Sequence, residues 1–236
     1  MSIFTHRSEA IEIMDNLQCE GEVVNQTLKE LEIINRLLGG NKLTIRGVAK
    51  LLKGRKSKEI YTINDLGCGG GDILKLVADW GRKSKISLHL SGIDANPNII
   101  AYAEKNSRNY PEIEYKAVNI FSDAFKAMKT DIVLATLFMH HFTDDELVHL
   151  FQLLGKQAQI GIVINDLHRH SLAYYSIKIL TRLFSNSAMV KADAPLSVLR
   201  AFHKEELESI LDRAGITNYT LRWRWAFRWE LIIYNT

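Results

Sequence analysis

The chain has 236 residues, 47% hydrophobic and 24% charged, with a formal net charge of +3. That length suits one α/β domain, and that balance excludes the disordered and fibrous classes. The charge is too small to require a polyanionic partner, although Lys53, Arg55, Lys56 and Lys58, and then Arg82, Lys83 and Lys85, form two basic clusters that read as solvated faces.

Cys19 and Cys68 are far apart, and Cys68 lies inside a glycine-rich loop, so both read as free thiols in a reducing compartment. Residues 1–8 lack the basic-then-apolar plan of a signal peptide, and no apolar run reaches the ~18 residues of a membrane span. A cytoplasmic protein is expected. Residues 8–53 carry a helical pattern, with Val24, Leu28, Leu31, Ile34, Leu37 and Leu38 at steps of three and four until Gly39-Gly40 stops them. Residues 1–55 therefore read as an N-terminal helical extension.

From Glu59 the rhythm changes. Strands are predicted near 60–65, 86–93, 113–118, 131–137 and 158–165, with helices near 72–80, 97–107 and 143–154 between most of them, which is the alternation of a parallel sheet. Thr143-Asp144-Asp145-Glu146 is a capping box that fixes the start of the last of these helices. Residues 166–202 carry no strand signal and read as an insertion acting as a lid or substrate-binding element, with a helix over about 172–180. After the helix Lys204 to Ala214, the runs Tyr219 to Trp225 and Trp229 to Tyr234 form an antiparallel edge hairpin. Arg222-Trp223-Arg224-Trp225 is then a half-buried edge strand rather than a nucleic-acid platform.

The segment Asp65-Leu66-Gly67-Cys68-Gly69-Gly70-Gly71-Asp72 joins the first predicted strand to the first helix after it. Glycines there let a ligand approach the backbone and allow the positive φ of a tight turn. The third glycine falls one place early for the dinucleotide fingerprint, and no Gly-Lys-Ser/Thr follows for a phosphate loop. Asp94 ends the next strand in Ser91-Gly92-Ile93-Asp94-Ala95-Asn96-Pro97, where a carboxylate can accept bonds from both ribose hydroxyls.

These ordered elements, with Ala117-Val118-Asn119-Ile120-Phe121 and the strand Asp131 to Phe138, resemble the class I S-adenosylmethionine-dependent methyltransferases over about residues 60–165. The resemblance implies a doubly wound, Rossmann-like, seven-stranded, mostly parallel sheet with an antiparallel last strand, in a single domain of residues 1–236. It also implies the cofactor S-adenosylmethionine, with S-adenosylhomocysteine as product. Carried over, Gly67, Gly69 and Gly71 hold its amino-acid part while Asp65 orients the site, and Asp94, with Ala95 and Asn96, holds its ribose. Asn119 and Ile120 meet the adenine, and Ala135 lies near the methylthio group.

Methyl transfer is an in-line displacement that needs alignment, exclusion of water and, for a hydroxyl acceptor, removal of a proton. His141 and His168, on the sheet edge where ligands bind, are the expected proton acceptors, with His140, Tyr174 and Tyr175 contacting the acceptor. Leu180, Phe184, Met189, Phe138 and Met139 are further candidates for an apolar wall. Ala135 and Thr136 end the fourth strand without a carboxylate, so no metal is expected. The expected reaction is methylation of a small apolar or aromatic acceptor on oxygen, with nucleic acid not expected as a partner. Methylation of nitrogen or carbon, including on RNA or protein, and a non-catalytic cofactor-binding subunit are the alternatives.

Overall fold

The computed structural model describes residues 2–55 and 58–235; Met1, Lys56 of the first basic cluster, Ser57 and Thr236 lie outside them. Among the described residues seven strands form one sheet: β1 (Tyr61–Leu66), β2 (Leu88–Asp94), β3 (Ile113–Ala117), β4 (Thr130–Thr136), β5 (Ala158–Leu167), β6 (Tyr219–Arg224) and β7 (Arg228–Tyr234). Their order is β3-β2-β1-β4-β5-β7-β6. β7 runs antiparallel to both its neighbours, and the pairs from β3 to β5 are parallel. The final hairpin therefore inserts its second strand beside β5 and leaves β6 at the edge. Burial explains the choice: β7 is a continuous buried run, whereas β6 alternates in composition and is half covered.

The helices are α1 (Glu22–Leu37), α2 (Asn41–Leu52), α3 (Asp72–Ser84), α4 (Pro97–Asn106), α5 (Asp123–Lys126), α6 (Asp144–Gln157), α7 (Ser171–Phe184), α8 (Ala188–Arg200) and α9 (Lys204–Arg213). The core has two halves, one on each face of the sheet. α2, α3 and α4 contribute Val48, Leu74, Val77 and Ile100 on one side, and α5, α6 and α9 contribute Phe125, Leu147, Phe151 and Leu211 on the other. The capping box of α6 is formed, with Glu146 N–H donating to Thr143 Oγ1 at 3.3 Å and Thr143 N–H to Glu146 Oε2 at 2.8 Å. No helix among the described residues is long and apolar enough to cross a membrane.

The helical extension is shorter than its expected span. Residues 2–21 carry only a 3-10 turn at Ile13–Asp15 and otherwise run as an irregular strap, because they lack the apolar repeat that begins at Val24. The 166–202 segment, which forms α7 and α8, holds this strap. Asp193 accepts from Ile13 N–H at 2.9 Å and Met14 N–H at 3.1 Å, Arg200 Nη1 donates to the Ala10 carbonyl, and buried Arg169 donates from Nε to the Phe4 carbonyl at 3.0 Å. Strap and insertion thus close over the carboxyl ends of β1, β4 and β5.

Candidate functional site

β1 lies between β2 and β4, so the chain leaves the sheet in opposite directions on its two sides and a crevice opens at the strand ends. Gly67 (φ +62°), Gly69 (φ +51°) and Gly71 (φ +76°) turn the chain there. At Gly67 a Cβ would stand 2.1 Å from the Phe138 ring, so glycine is required by space as well as by φ.

Three carboxylates face this loop. Asp65, 2% exposed, has an oxygen without a hydrogen-bond partner among the described residues. Burial, and then the charges of Asp72 and Asp94, push its carboxyl up to about 8. Asp72 opens α3 with its own unpartnered oxygen and is pushed up to about 6 by burial and then by Glu32. Asp94, raised by burial, accepts from Asn96 N–H at 3.0 Å. Buried carboxylates short of positive charge favour a cationic ligand. S-Adenosylmethionine, with an ammonium and a sulfonium, fits this donor-poor cradle.

The remaining predicted contacts divide. Ala95, Asn96, Asn119 and Ile120 line the cavity. The Asn96 side chain, however, is committed to capping α4, accepting from Asn98 N–H at 2.8 Å, and to the strap, donating to the Cys19 carbonyl at 2.9 Å. Asn119 Oδ1 accepts from Phe121 N–H at 2.8 Å. Ala135 is buried in the core instead of lining the cavity, because alternate β4 side chains point into the packed layer; Thr136 and Leu137 line the cavity there.

The histidines rearrange the sequence expectation. His140 is buried, with Nδ1 2.7 Å from Asp166 Oδ1 and Nε2 3.7 Å from Glu12 Oε1. Burial pushes Asp166 up, but the charge and hydrogen bond of His140 outweigh it and leave this carboxyl below its usual range. Backbone N–H groups of Met139 at 2.8 Å and Leu167 at 2.7 Å also donate to Asp166. His141 lies beside His140, ring centroids 4.4 Å apart, with Nδ1 2.6 Å from Asp15 Oδ1. Arg200 fixes both from behind, donating to the His140 carbonyl at 3.2 Å and to the His141 carbonyl at 2.6 Å.

His168 does not reach the cavity. Its Nδ1 accepts from Trp223 Nε1 at 3.2 Å, and its ring lies 5.1 Å from Trp229. Burial, and then His170 and His203, push it down to about 4. Tyr174 and Tyr175 also point elsewhere, packing edge-on against each other and against Phe4 at 5.6 and 6.3 Å. α7 turns Ala173, Ser176, Ile177 and Leu180 to the cavity instead, positions i, i+3, i+4 and i+7 that fall on one side of the helix. Of the other wall candidates, Phe138 lines the cavity, Phe184 is exposed, and Met139 and Met189 are packed in the core.

The sequence reading missed Glu12 and Asp15 altogether. Glu12, 5% exposed, has one oxygen without a hydrogen bond among the described residues, and burial raises it to about 7 despite the opposing influence of His141. Ligand-capable atoms of Glu12, His140 and His141 lie within 4.8 Å of one another, a donor set of the kind that suits zinc or iron. No spacing rule links a strap residue to a loop more than a hundred positions later. Arg228 was also missed: it is buried at the cavity wall, donates to Asn35 Oδ1 at 3.0 Å, and is lowered to about 10 by burial.

The glycine loop, its three carboxylates, Glu12, His140, His141 and Arg228 line one cavity of about 870 Å³. A family model for a methyltransferase domain matches residues 63–157, which run from β1 to the end of α6. That segment of the chain is similar to a methyltransferase domain. The seven-stranded sheet has the class I S-adenosylmethionine-dependent methyltransferase architecture. No curated protein is similar to the chain in sequence.

Among solved structures, the chain resembles human N-acetylserotonin methyltransferase in complex with SAM (TM-score 0.63, 16% identity, 93% of this chain and 57% of that one). It also resembles the plantazolicin methyltransferase BpumL in complex with SAH (0.61, 16%, 90% and 99%). A third likeness is to the CMeT domain of the citrinin polyketide synthase (0.61, 15%, 80% and 50%). The chain thus spans only about half the length of the first and third of these.

Proposed function

We propose that this chain transfers a methyl group from S-adenosylmethionine to a small apolar or aromatic acceptor, on oxygen. The reading rests on one observation: the glycine loop with Asp65, Asp72 and Asp94 shares a cavity with His140 and His141 beneath an apolar roof that includes Leu28, Leu31, Ile177, Leu180 and Val198. When bound, the cofactor supplies an electrophilic methyl carbon and leaves as S-adenosylhomocysteine. Asp65 and Asp72 meet its ammonium, and Asp94 its ribose hydroxyls.

The acceptor hydroxyl gives its proton to Nε2 of His140. Asp166 holds Nδ1–H, fixes the tautomer and stabilises the imidazolium, with Glu12 Oε1 on the other side at 3.7 Å. Loss of its proton would leave the acceptor oxygen nucleophilic toward the methyl group that the bound cofactor would supply. His141, held by Asp15, orients the acceptor beside His140. The strap and the 166–202 segment exclude water, acting as the lid of a single domain. Two free cysteines accord with a reducing, cytoplasmic setting.

The test is methyl transfer from radiolabelled S-adenosylmethionine to a panel of phenols, enols, amines and short RNAs, with S-adenosylhomocysteine binding measured in parallel by calorimetry. Label on phenolic or enolic oxygen supports the reading. Binding without transfer to any acceptor favours a cofactor-holding subunit, and transfer to carbon, nitrogen or RNA replaces the oxygen assignment. No binding at millimolar S-adenosylhomocysteine overturns the reading entirely.

A further inference from the structure

The outer face of α7 is unusually apolar for a helix at the surface. Leu172, Tyr175, Ile179 and Leu183 are 61%, 53%, 59% and 68% exposed, and their spacing places them within an arc of roughly 100°. Phe184, at its end, is 77% exposed. Isolated exposed apolar residues need no explanation, but an ordered stripe along one helix does.

The stripe continues into the mouth of the cavity. Leu180, 42% exposed, lines the cavity from the same helix, and Trp225, 78% exposed, lines it from the β6–β7 turn. The two elements adjoin: His170, which caps α7, stacks on Phe227 of that turn at 5.0 Å.

Charge accompanies this surface with one sign. α7 contains Lys178 and Arg182 and no Asp or Glu, and residues 219–229 contain Arg222, Arg224 and Arg228 and no acid. Arg224 is paired with Glu230 and Arg228 is buried, so Lys178, Arg182 and Arg222 are the exposed cations. A helix with an apolar face, flanking Lys and Arg, and aromatic residues at its border has the makeup of an element that lies in a lipid interface.

We infer that α7 and the Trp225 turn dock this protein on an anionic lipid bilayer, with the cavity mouth facing the membrane, so that the acceptor is a lipophilic molecule drawn from it. The surface fits a bilayer better than a second copy of the chain. An isologous contact through α7 would bring together two helices that contain cations and no acids to pair them. Peripheral docking needs no spanning helix. The acceptor class deepens the proposed function and rests on it; the docking itself does not.

The test uses the full chain with vesicles of phosphatidylcholine, with and without about a third phosphatidylglycerol, the anionic lipid providing the surface potential. Co-sedimentation is expected with the anionic vesicles and to fall steeply with salt, with a blue shift of tryptophan fluorescence that Trp225→Ala removes. Ile179→Glu with Leu183→Glu is expected to abolish retention, and Lys178→Glu with Arg182→Glu to weaken it roughly 30-fold or more, at about 1 kcal/mol per cation near the surface. Lys178, Ile179, Arg182 and Leu183 are exposed and off the cavity lining, so S-adenosylhomocysteine affinity of both double variants, measured on the same samples, should stay unchanged and certify the fold.

No retention on anionic vesicles overturns the inference, as does retention that the double variants leave intact. A concentration-dependent dimer in sedimentation velocity that Ile179→Glu with Leu183→Glu dissolves would overturn it too, assigning the face to a second copy. Intact docking without S-adenosylhomocysteine binding would sink the proposed function and leave docking standing.

Discussion

Asp65→Asn separates stability from affinity, because the two depend on opposite protonation states of one carboxyl. In the ligand-free protein burial and two neighbouring carboxylates hold Asp65 at about 8, against 3.8 in the unfolded chain. The folded state therefore binds a proton that the unfolded state releases. Its contribution to stability is fully present below 3.8 and is lost as pH rises through about 8. The full difference corresponds to an ionisation penalty on the order of 5 kcal/mol.

Asparagine mimics the protonated group and carries no such penalty. The ligand-free variant should match the wild type near pH 4 in urea unfolding and exceed it by several kcal/mol near pH 9. Cofactor binding should move the other way. Loss of a charge-assisted hydrogen bond to an ammonium, about 1.5 to 3 kcal/mol, weakens S-adenosylhomocysteine roughly 10- to 150-fold. Calorimetry in buffers of different ionisation enthalpy should record proton release on binding near pH 7 in the wild type, and less in the variant. Equal affinities, or a variant less stable than wild type near pH 9, would refute the assignment of Asp65 as a buried carboxyl awaiting a cation.

With an acceptor in hand, His140→Ala should lower turnover by about 100-fold or more while S-adenosylhomocysteine affinity holds, as removal of a general base requires. His168→Ala should leave turnover within a few-fold, since its ring faces Trp223 and Trp229 outside the cavity. Gly67→Ala combines a left-handed φ with a Cβ driven into Phe138, so it should cost about 2 to 4 kcal/mol in chemical denaturation and lower cofactor affinity; a change under about 0.5 kcal/mol would contradict the cradle geometry. Glu12 sits at about 7, so its stability contribution is lost as pH rises through that value, and Glu12→Gln should flatten the pH dependence of unfolding between about 5 and 8. Turnover should survive EDTA if His140 Nε2 is the base; loss restored by zinc would make Glu12, His140 and His141 ligands instead.

Apart from the four-residue α5, the order of strands and helices from β1 to α6 was legible in the letters because each element carries its own local signal. Gly67 to Gly71 mark a turn that only glycine makes, Thr143 and Glu146 cap each other three residues apart, and the β4 and β5 runs are too apolar to lie elsewhere than inside a sheet. Asp65 and Asp94 were legible for the same reason, as acids fixed to the ends of recognisable strands.

The proposed acceptor half of the site was not legible, because it is assembled from residues with no shared local pattern. Glu12 and Asp15 reach His140 and His141 only because Arg169, Arg200 and Asp193 clamp an irregular strap across the strand ends. The two tyrosines of α7 were misplaced because its apolar residues cover more than one side, so periodicity alone does not say which side turns inward. The sequence by itself determined the strand-loop-helix cradle and its acids, whose geometry follows from residues a few positions apart. Tertiary structure decided which histidine has a carboxylate behind it and which face of α7 meets the cavity, since both depend on long-range packing between segments that meet only in the folded chain.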